Sequence, residues 1–258
     1  MSRRVVFPFP AIVGMEKAKL ALLAVAVNPS IGGVLLRGGD KGGTGKTTLV
    51  RSFADVLPEI EVVADCPFNC DPHDPQLMCD SCYARYQRGE KLPVAVRKMR
   101  VVDLPLSITV DRLIGTLDIR RAITEGVRAL QPGLLAEANR NILYIDEVNL
   151  LDDYIVDVIL DAAAYGWNIV EREGVSVRHP ARFVLIASMN PEEGELRPQL
   201  LDRFGLVVDV EAPQDPGGVR AEIVRRVEEF NRDPEGFYRR WEPRLRGLGR
   251  GGSRGLGS

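Results

Sequence analysis

Gly38-Gly-Asp-Lys-Gly-Gly-Thr-Gly-Lys-Thr-Thr48 stands between a short apolar run, Gly33-Val-Leu-Leu-Arg37, and a stretch of helical character from Leu49 to Leu57. A glycine-rich turn between a buried strand and a helix start cradles phosphate: its backbone N–H groups converge, and the helix N-terminus carries partial positive charge. The candidate nucleotide-binding residues are therefore Gly39, Asp40, Lys41, Gly42, Gly43, Thr44, Gly45, Lys46, Thr47 and Thr48. In such a loop the lysine, Lys46, reaches the β/γ-phosphates and the Thr47 hydroxyl takes a position on Mg²⁺. The spacing is irregular. The pattern G-x-x-x-x-G-K-[ST], anchored on Gly45-Lys46-Thr47, asks for glycine where Asp40 stands, and Gly39 lies one residue early. A glycine-rich surface turn is the competing reading, and the strand-turn-helix setting favours the nucleotide loop.

A phosphate loop needs an acid for the metal ion, and Ile142-Leu-Tyr-Ile-Asp-Glu147 supplies one. In P-loop enzymes an apolar strand of this kind delivers a carboxylate to Mg²⁺. Asp146 takes that role here, and Glu147 orients or deprotonates the attacking water, which requires a carboxylate within hydrogen-bond reach. Asn190, after the apolar run Phe183 to Ala187, is placed to bridge Glu147 and the γ-phosphate; locally, Asn190-Pro191 also reads as a turn. Arg203, in Leu200-Leu-Asp-Arg-Phe204, offers a permanently charged fork of the type that stabilises phosphoryl-transfer charge from a neighbouring subunit, with a salt bridge as the alternative. Glu147, Asn190 and Arg203 are the candidate catalytic residues.

The rest of the composition is that of an ordinary globular protein. The chain has 258 residues, 45% of them hydrophobic and 27% charged, enough for one substantial core. A net charge of −2 gives no overall electrostatic case for nucleic acid or an anionic membrane. No apolar run approaches a membrane span, and Met1-Ser-Arg-Arg-Val-Val-Phe-Pro-Phe-Pro10 lacks the apolar region of a signal peptide, so a cytoplasmic location is expected.

Short buried strands alternate with helical segments. Strands are expected at Ile60–Ala64, Ile142–Ile145, Phe183–Ala187 and Leu206–Val210, and helices at Met15–Asn28, Arg120–Leu130, Asp152–Tyr165, Arg197–Phe204 and Gly217–Phe230. Asn168–Val170 and Val175–Val177 pair through Glu173-Gly174 as a hairpin, and residues 99–118 read as an insertion. The expected fold class is α/β, a parallel sheet covered by helices on both faces.

Cys66, Cys70, Cys79 and Cys82 form C-x3-C-x8-C-x2-C, an insertion at about 65–85. Cysteines in a reducing compartment argue for metal or redox chemistry before disulfides. Two closely spaced thiol pairs suit tetrahedral zinc, with His73 as a substitute ligand, and an iron–sulfur cluster uses the same four thiolates.

The blocks F-P-F-P-A-I-V-G, G-T-G-K-T-T-L-V-R, Y-I-D-E-V-N-L-L-D-D, N-I-V-E-R-E-G-V-S-V-R-H-P-A-R-F and N-P-E-E-G-E-L-R-P-Q-L-L-D-R-F-G-L cover much of residues 7–212. In these blocks the chain resembles the AAA+ ATPase (I) subunit of magnesium chelatase and its cobaltochelatase relatives. The resemblance implies a P-loop NTPase of AAA+ type that binds ATP and Mg²⁺ and assembles as a homo-oligomeric ring, expected to be a hexamer. It drives metal insertion into a tetrapyrrole on a separate large porphyrin-binding subunit, with a von Willebrand A platform subunit as third partner. Mg²⁺ into protoporphyrin IX is the leading reading; cobalt or another metal is the alternative. By matching position, Lys46 and Thr47 are the Walker A pair, Asp146 and Glu147 Walker B, and Asn190 sensor 1. Arg203 is the arginine finger, with Arg197 second. Residues 168–180 correspond to a presensor-1 hairpin and the region near 99–118 to a helix-2 insertion, both candidates for partner contact.

The sequence departs from that family in three places. Two additional glycines lie between Arg37 and Lys46, the cysteine cluster is present, and residues 241–258 form a Gly/Arg-rich stretch expected as a disordered tail after a 1–240 core, leaving the lid domain largely missing. Rival readings are a MoxR-like remodelling ATPase, an MCM-like helicase or a non-hydrolysing scaffold. The hairpin sets Glu171 and Glu173 against Arg172 and Arg178, which does not suit a nucleic-acid translocator.

Overall fold

In a computed structural model that describes residues 5–39, 45–211 and 218–252, with side chains through 248, the apolar runs become a parallel sheet. In chain order the first elements are α1 (Glu16–Val27), β1 (Val34–Arg37), α2 (Lys46–Phe53), β2 (Glu59–Val63), α3 (Asp80–Gln87), β3 (Val94–Lys98) and β4 (Val101–Asp103). Then come α4 (Val110–Ile114), β5 (Thr116–Leu117), α5 (Ile119–Glu125), β6 (Leu130–Gln131), α6 (Leu134–Ala138), β7 (Ile142–Ile145) and α7 (Asp153–Tyr165). The last are β8 (Trp167–Arg172), β9 (Val175–Pro180), β10 (Val184–Met189), α8 (Pro198–Leu201), β11 (Leu206–Asp209), α9 (Val219–Arg232) and α10 (Pro234–Gly252).

The central sheet has five strands in the order β11-β1-β10-β7-β4, and every neighbouring pair is parallel. β7 and β10 are buried along their whole length, the signature of a sheet covered on both faces. Strand side chains alternate between the faces. Val34, Leu36, Ile142, Tyr144, Val184 and Ile186 pack with α1 and α2. Leu35, Leu143, Ile145, Leu185 and Ala187 point the other way, towards α7 and the α6 residues Leu135 and Ala138.

Helix ends follow local chemistry. Asp152 caps α7 by accepting from the Tyr154 N–H at 2.9 Å, and Gly166 closes it in the left-handed region at φ 71°. Glu173 (φ 50°) and Gly174 (φ 77°) form the turn joining β8 to β9, longer strands than the sequence suggested.

Three expectations change. Val101–Asp103, taken as part of an insertion, is the edge strand β4 of the central sheet, hydrogen-bonded to β7. The departure from the sheet comes later, where β5 and β6 pair antiparallel around α5. β2 likewise leaves the central sheet and pairs antiparallel with β3, so the cysteine segment is carried on a separate arm. Residues 241–252 are helical in α10: Phe237, Trp241, Leu245 and Leu248 recur at helical spacing, and Phe237 and Leu245 are buried. Arg226 and Arg244 lie over the Trp241 ring, each 4.8 Å from its centroid. Arginine and glycine between these positions hide the apolar period. Leu20 on α1 is 68% exposed, so one face of that helix meets solvent. Among the described residues, no helix is long and apolar enough to cross a membrane.

Candidate nucleotide site and cysteine cluster

The C-terminal ends of β1, β7 and β10 converge where the chain switches from one side of β1 to the other, the position at which open α/β sheets bind ligands. Gly38 leaves β1 so close to β11 that a Cβ there would meet the Val210 carbonyl oxygen at 2.1 Å. Asp40 to Thr44, the irregular part of the loop, lie outside the described residues. Gly45 resumes the chain at φ 72°, which glycine adopts without strain, and starts α2. Lys46, Thr47 and Thr48 form its first turn, with Lys46 buried and Thr48 exposed. The Lys46 ammonium donates to the carbonyl oxygens of Gly38 (2.7 Å) and Met189 (3.2 Å). A buried cation beside a helix N-terminus is an arrangement that suits polyphosphate.

Asp146 sits at the end of β7 opposite that turn. Its Oδ2 accepts from the Thr47 hydroxyl at 3.2 Å, and its Oδ1 accepts from the Tyr144 hydroxyl at 3.0 Å and from the Ser188 hydroxyl. Burial pushes the Tyr144 phenol up to about 12, so it stays a donor to the carboxylate at neutral pH. The paired Thr47 hydroxyl and Asp146 carboxylate are the hard oxygen ligands that Mg²⁺ takes, and the donor set fits the ion. Glu147 occupies the left-handed region at φ 55°, uncommon for a non-glycine, and its N–H donates to Ser188 Oγ at 3.2 Å.

Asn190, at the end of β10, is buried. Its Oδ1 accepts from the Glu192 N–H at 3.1 Å, so the turn reading holds. The same residue also faces the loop: a Cβ on Gly39 would lie 3.8 Å from Asn190 Oδ1 and 3.6 Å from Glu192 Oε1. Asn149 braces this corner by donating to the Asn190 and Gly194 carbonyl oxygens.

Arg203 and Arg197 are not brought to this cluster. Arg203 pairs with Asp161 (2.7 Å) and Asp157 (3.7 Å), and Arg197 with Asp153 (2.8 Å) and Asp157 (3.5 Å), along one face of α7. Tyr144, Ser188 and Asn149 were absent from the sequence-derived set. Tyr144 had a signal: two residues before Asp146 on a strand, it shares that residue's face.

The four cysteines are all buried, and their sulfurs lie within 4.8 Å of one another. Cys66 Sγ is 3.5 Å from Cys70 Sγ and 3.9 Å from Cys79 Sγ. The contact between the Cys66 and Cys70 sulfurs splits the pair, holding Cys66 below the ordinary thiol range and raising Cys70. His73 is not part of this group; its ring pairs with Glu61 at the surface.

With this geometry described, comparison with known proteins is direct. The magnesium chelatase subunit ChlI family matches residues 119–197, which run from α5 through β10 to Arg197. The chain is 62% identical over 242 residues to a magnesium-chelatase subunit ChlI homolog of Methanocaldococcus jannaschii, covering 94% of this chain and 65% of the relative. It is 56% identical over 241 residues to the magnesium-chelatase subunit ChlI of Cyanophora paradoxa, covering 93% of this chain and 69% of that protein. The chain belongs to the magnesium-chelatase ChlI family.

A model of the complex between subunits BchI and BchD of magnesium chelatase, based on a single-particle cryo-EM reconstruction, contains a chain that superimposes with a TM-score of 0.71 at 52% identity. The match covers 95% of this chain and 73% of that one. The AAA+ architecture, a central parallel sheet flanked by helices, is therefore the architecture here. The chain spans 65% of the length of the M. jannaschii relative.

Proposed function

We propose that this chain is the ATP-hydrolysing motor subunit of a magnesium chelatase, driving insertion of Mg²⁺ into protoporphyrin IX held on a separate large subunit. The convergence of Lys46, Thr47, Asp146 and Ser188 at three strand ends carries the reading. ATP·Mg²⁺ is the expected nucleotide, and the ion supplies neutralisation of phosphate charge. Lys46 binds the β/γ-phosphates by exchanging its carbonyl partners for stronger anionic acceptors. Thr47 and Asp146 hold the ion, and Asp146 is itself held by Tyr144 and Ser188, so it needs little reorganisation. Glu147 accepts the proton of the attacking water, and Asn190 orients that water relative to the γ-phosphate. Arg203, with Arg197 as second choice, serves the site of a neighbouring subunit in a homo-oligomeric ring.

The relatives' names and the BchI–BchD complex support assembly with a second kind of subunit. A von Willebrand A platform and a porphyrin-binding subunit complete the proposed machine. The four cysteines add a metal of their own. Reconstitution with the platform and porphyrin-binding subunits tests the reading. ATP-dependent Mg²⁺ insertion that is lost in Lys46→Ala supports it. ATP hydrolysis with no metallation by any cognate subunit pair overturns the chelatase assignment.

A further inference from the structure

One ion bound tetrahedrally by thiolates at the zinc–sulfur distance of about 2.3 Å sets its sulfurs about 3.8 Å apart. The sulfur pairs at 3.5 Å and 3.9 Å lie on that edge length, and no pair exceeds 4.8 Å. An iron–sulfur cluster spreads its thiolates over two or four irons, and thiolates on different irons lie farther apart than the edge of a single tetrahedron. The geometry therefore separates two ligand sets that share the same residues.

The surroundings favour thiolates. The Cys79 N–H donates to Cys70 Sγ at 3.1 Å. Cys79 is the N-cap of α3 and Cys82 lies in its first turn, where the helix N-terminus favours negative charge. All four ligands come from protein, so no coordination position remains for substrate, the mark of a structural site. A cleft bordered by Asp65, Pro67, Ser81, Arg85 and Arg128 opens onto Cys66, Cys79 and Cys82 and gives an ion a way in.

The cysteine segment is also the joint between three parts of the fold. Phe68, between the first two cysteines, stacks on His179 of β9 with ring centroids 4.7 Å apart and an interplanar angle of 13°. The Asn139 amide donates to the Phe68 carbonyl oxygen at 2.7 Å, and Arg140 pairs with Asp71 at 2.9 Å, both from the turn before β7. The cysteines share one apolar cluster with Leu117, Leu130, Val170 and Val177 of the β5–β6 and β8–β9 ribbons.

We propose that Cys66, Cys70, Cys79 and Cys82 form a closed tetrathiolate site for a single zinc ion, which fastens the β2–β3 arm to the β8–β9 hairpin. The site stands apart from the nucleotide reading, and its test uses no nucleotide. Protein is purified anaerobically without chelators, and its metal, inorganic sulfide and free thiols are counted. About one zinc per chain, released in step with titration of the four thiols by a mercurial, is expected. In the same titration, amide exchange of residues 167–180 is expected to accelerate at least about tenfold as zinc leaves, because the anchor of β9 is lost. A Cys70→Ser/Cys82→Ser double variant is expected to retain less than about a tenth of an equivalent of zinc. If that variant does not fold, the wild-type titration decides. Four free thiols with less than about half an equivalent of metal in folded protein overturns the site. Iron with stoichiometric sulfide overturns the single-ion assignment, and zinc release with unchanged hairpin exchange overturns the fastening role.

Discussion

The Thr47 hydroxyl donates to Asp146 Oδ2 across 3.2 Å, tying the first turn of α2 to the end of β7. Asp146 is held from its other oxygen by Tyr144 and Ser188. Under the proposed function, the Tyr144 hydroxyl positions Asp146 as a metal ligand without touching substrate. Tyr144→Phe removes one of two hydrogen bonds to Oδ1, worth about 1 kcal/mol, and is expected to lower kcat for ATP about fivefold with KM within about twofold. The unaltered Ser188 contact limits the loss. Steady-state ATPase kinetics at several Mg²⁺ concentrations check it, and a change confined to KM would contradict the positioning role.

Arg203 faces the α7 acids Asp157 and Asp161 and not its own Lys46. If it completes a neighbour's site, Arg203→Ala and Lys46→Ala proteins are each inactive alone. Mixed in equal amounts, random rings hold both intact residues at about a quarter of interfaces, and about a quarter of wild-type ATPase activity is expected to return. No recovery after subunit exchange would contradict a role in trans.

Gly205 packs against the chain entering β1, and a Cβ there would lie 1.7 Å from the Ile31 carbonyl oxygen. Backbone must move to admit a methyl group. Gly205→Ala is expected to cost about 3 kcal/mol and lower Tm by roughly 10 °C. Gly247→Ala, with nothing within 4 Å of the added carbon on helix α10, is expected to be neutral or slightly stabilising. Paired thermal melts distinguish the two.

His179 is fully buried, and burial lowers its pKa to about 4 from 6.5. Its Nδ1–H donates to the Pro180 carbonyl oxygen, and Nε2 accepts from the Asn168 amide, which suits the neutral ring. The folded chain binds the proton less tightly than the unfolded one. The stability from this residue is therefore complete above about pH 6.5 and is lost progressively as pH falls towards about 4, on the order of 3 kcal/mol in all. NMR titration of the imidazole checks the direction; an ordinary midpoint near 6.5 in folded protein would contradict it.

The central sheet was legible because parallel strands buried on both faces read as continuous apolar runs, as in Ile142–Ile145 and Val184–Met189. β4 escaped because an edge strand of three residues, Val101–Asp103, has no such run. α10 escaped because arginines and Pro243 separate Phe237, Trp241 and Leu245. At the candidate nucleotide site, Lys46, Thr47 and Asp146 were legible as motif residues, and the structure sets the Thr47 hydroxyl 3.2 Å from Asp146. Ser188 was not, since only the parallel register of β10 with β7, pairing Ala187 with Ile145, brings its hydroxyl to Asp146. The four cysteines were legible as a candidate ligand set, while the proposal of one ion over a cluster needed the sulfur separations.

Turnover of ATP tests the account most directly. Wild type, Lys46→Ala and Glu147→Gln proteins are compared for ATP binding by calorimetry and for phosphate release under single-turnover conditions. The account predicts that Lys46→Ala loses binding, and that Glu147→Gln binds ATP within a few-fold of wild type yet hydrolyses it at least about 100-fold more slowly. Equal hydrolysis by wild type and Glu147→Gln, with ATP bound by both, would contradict it.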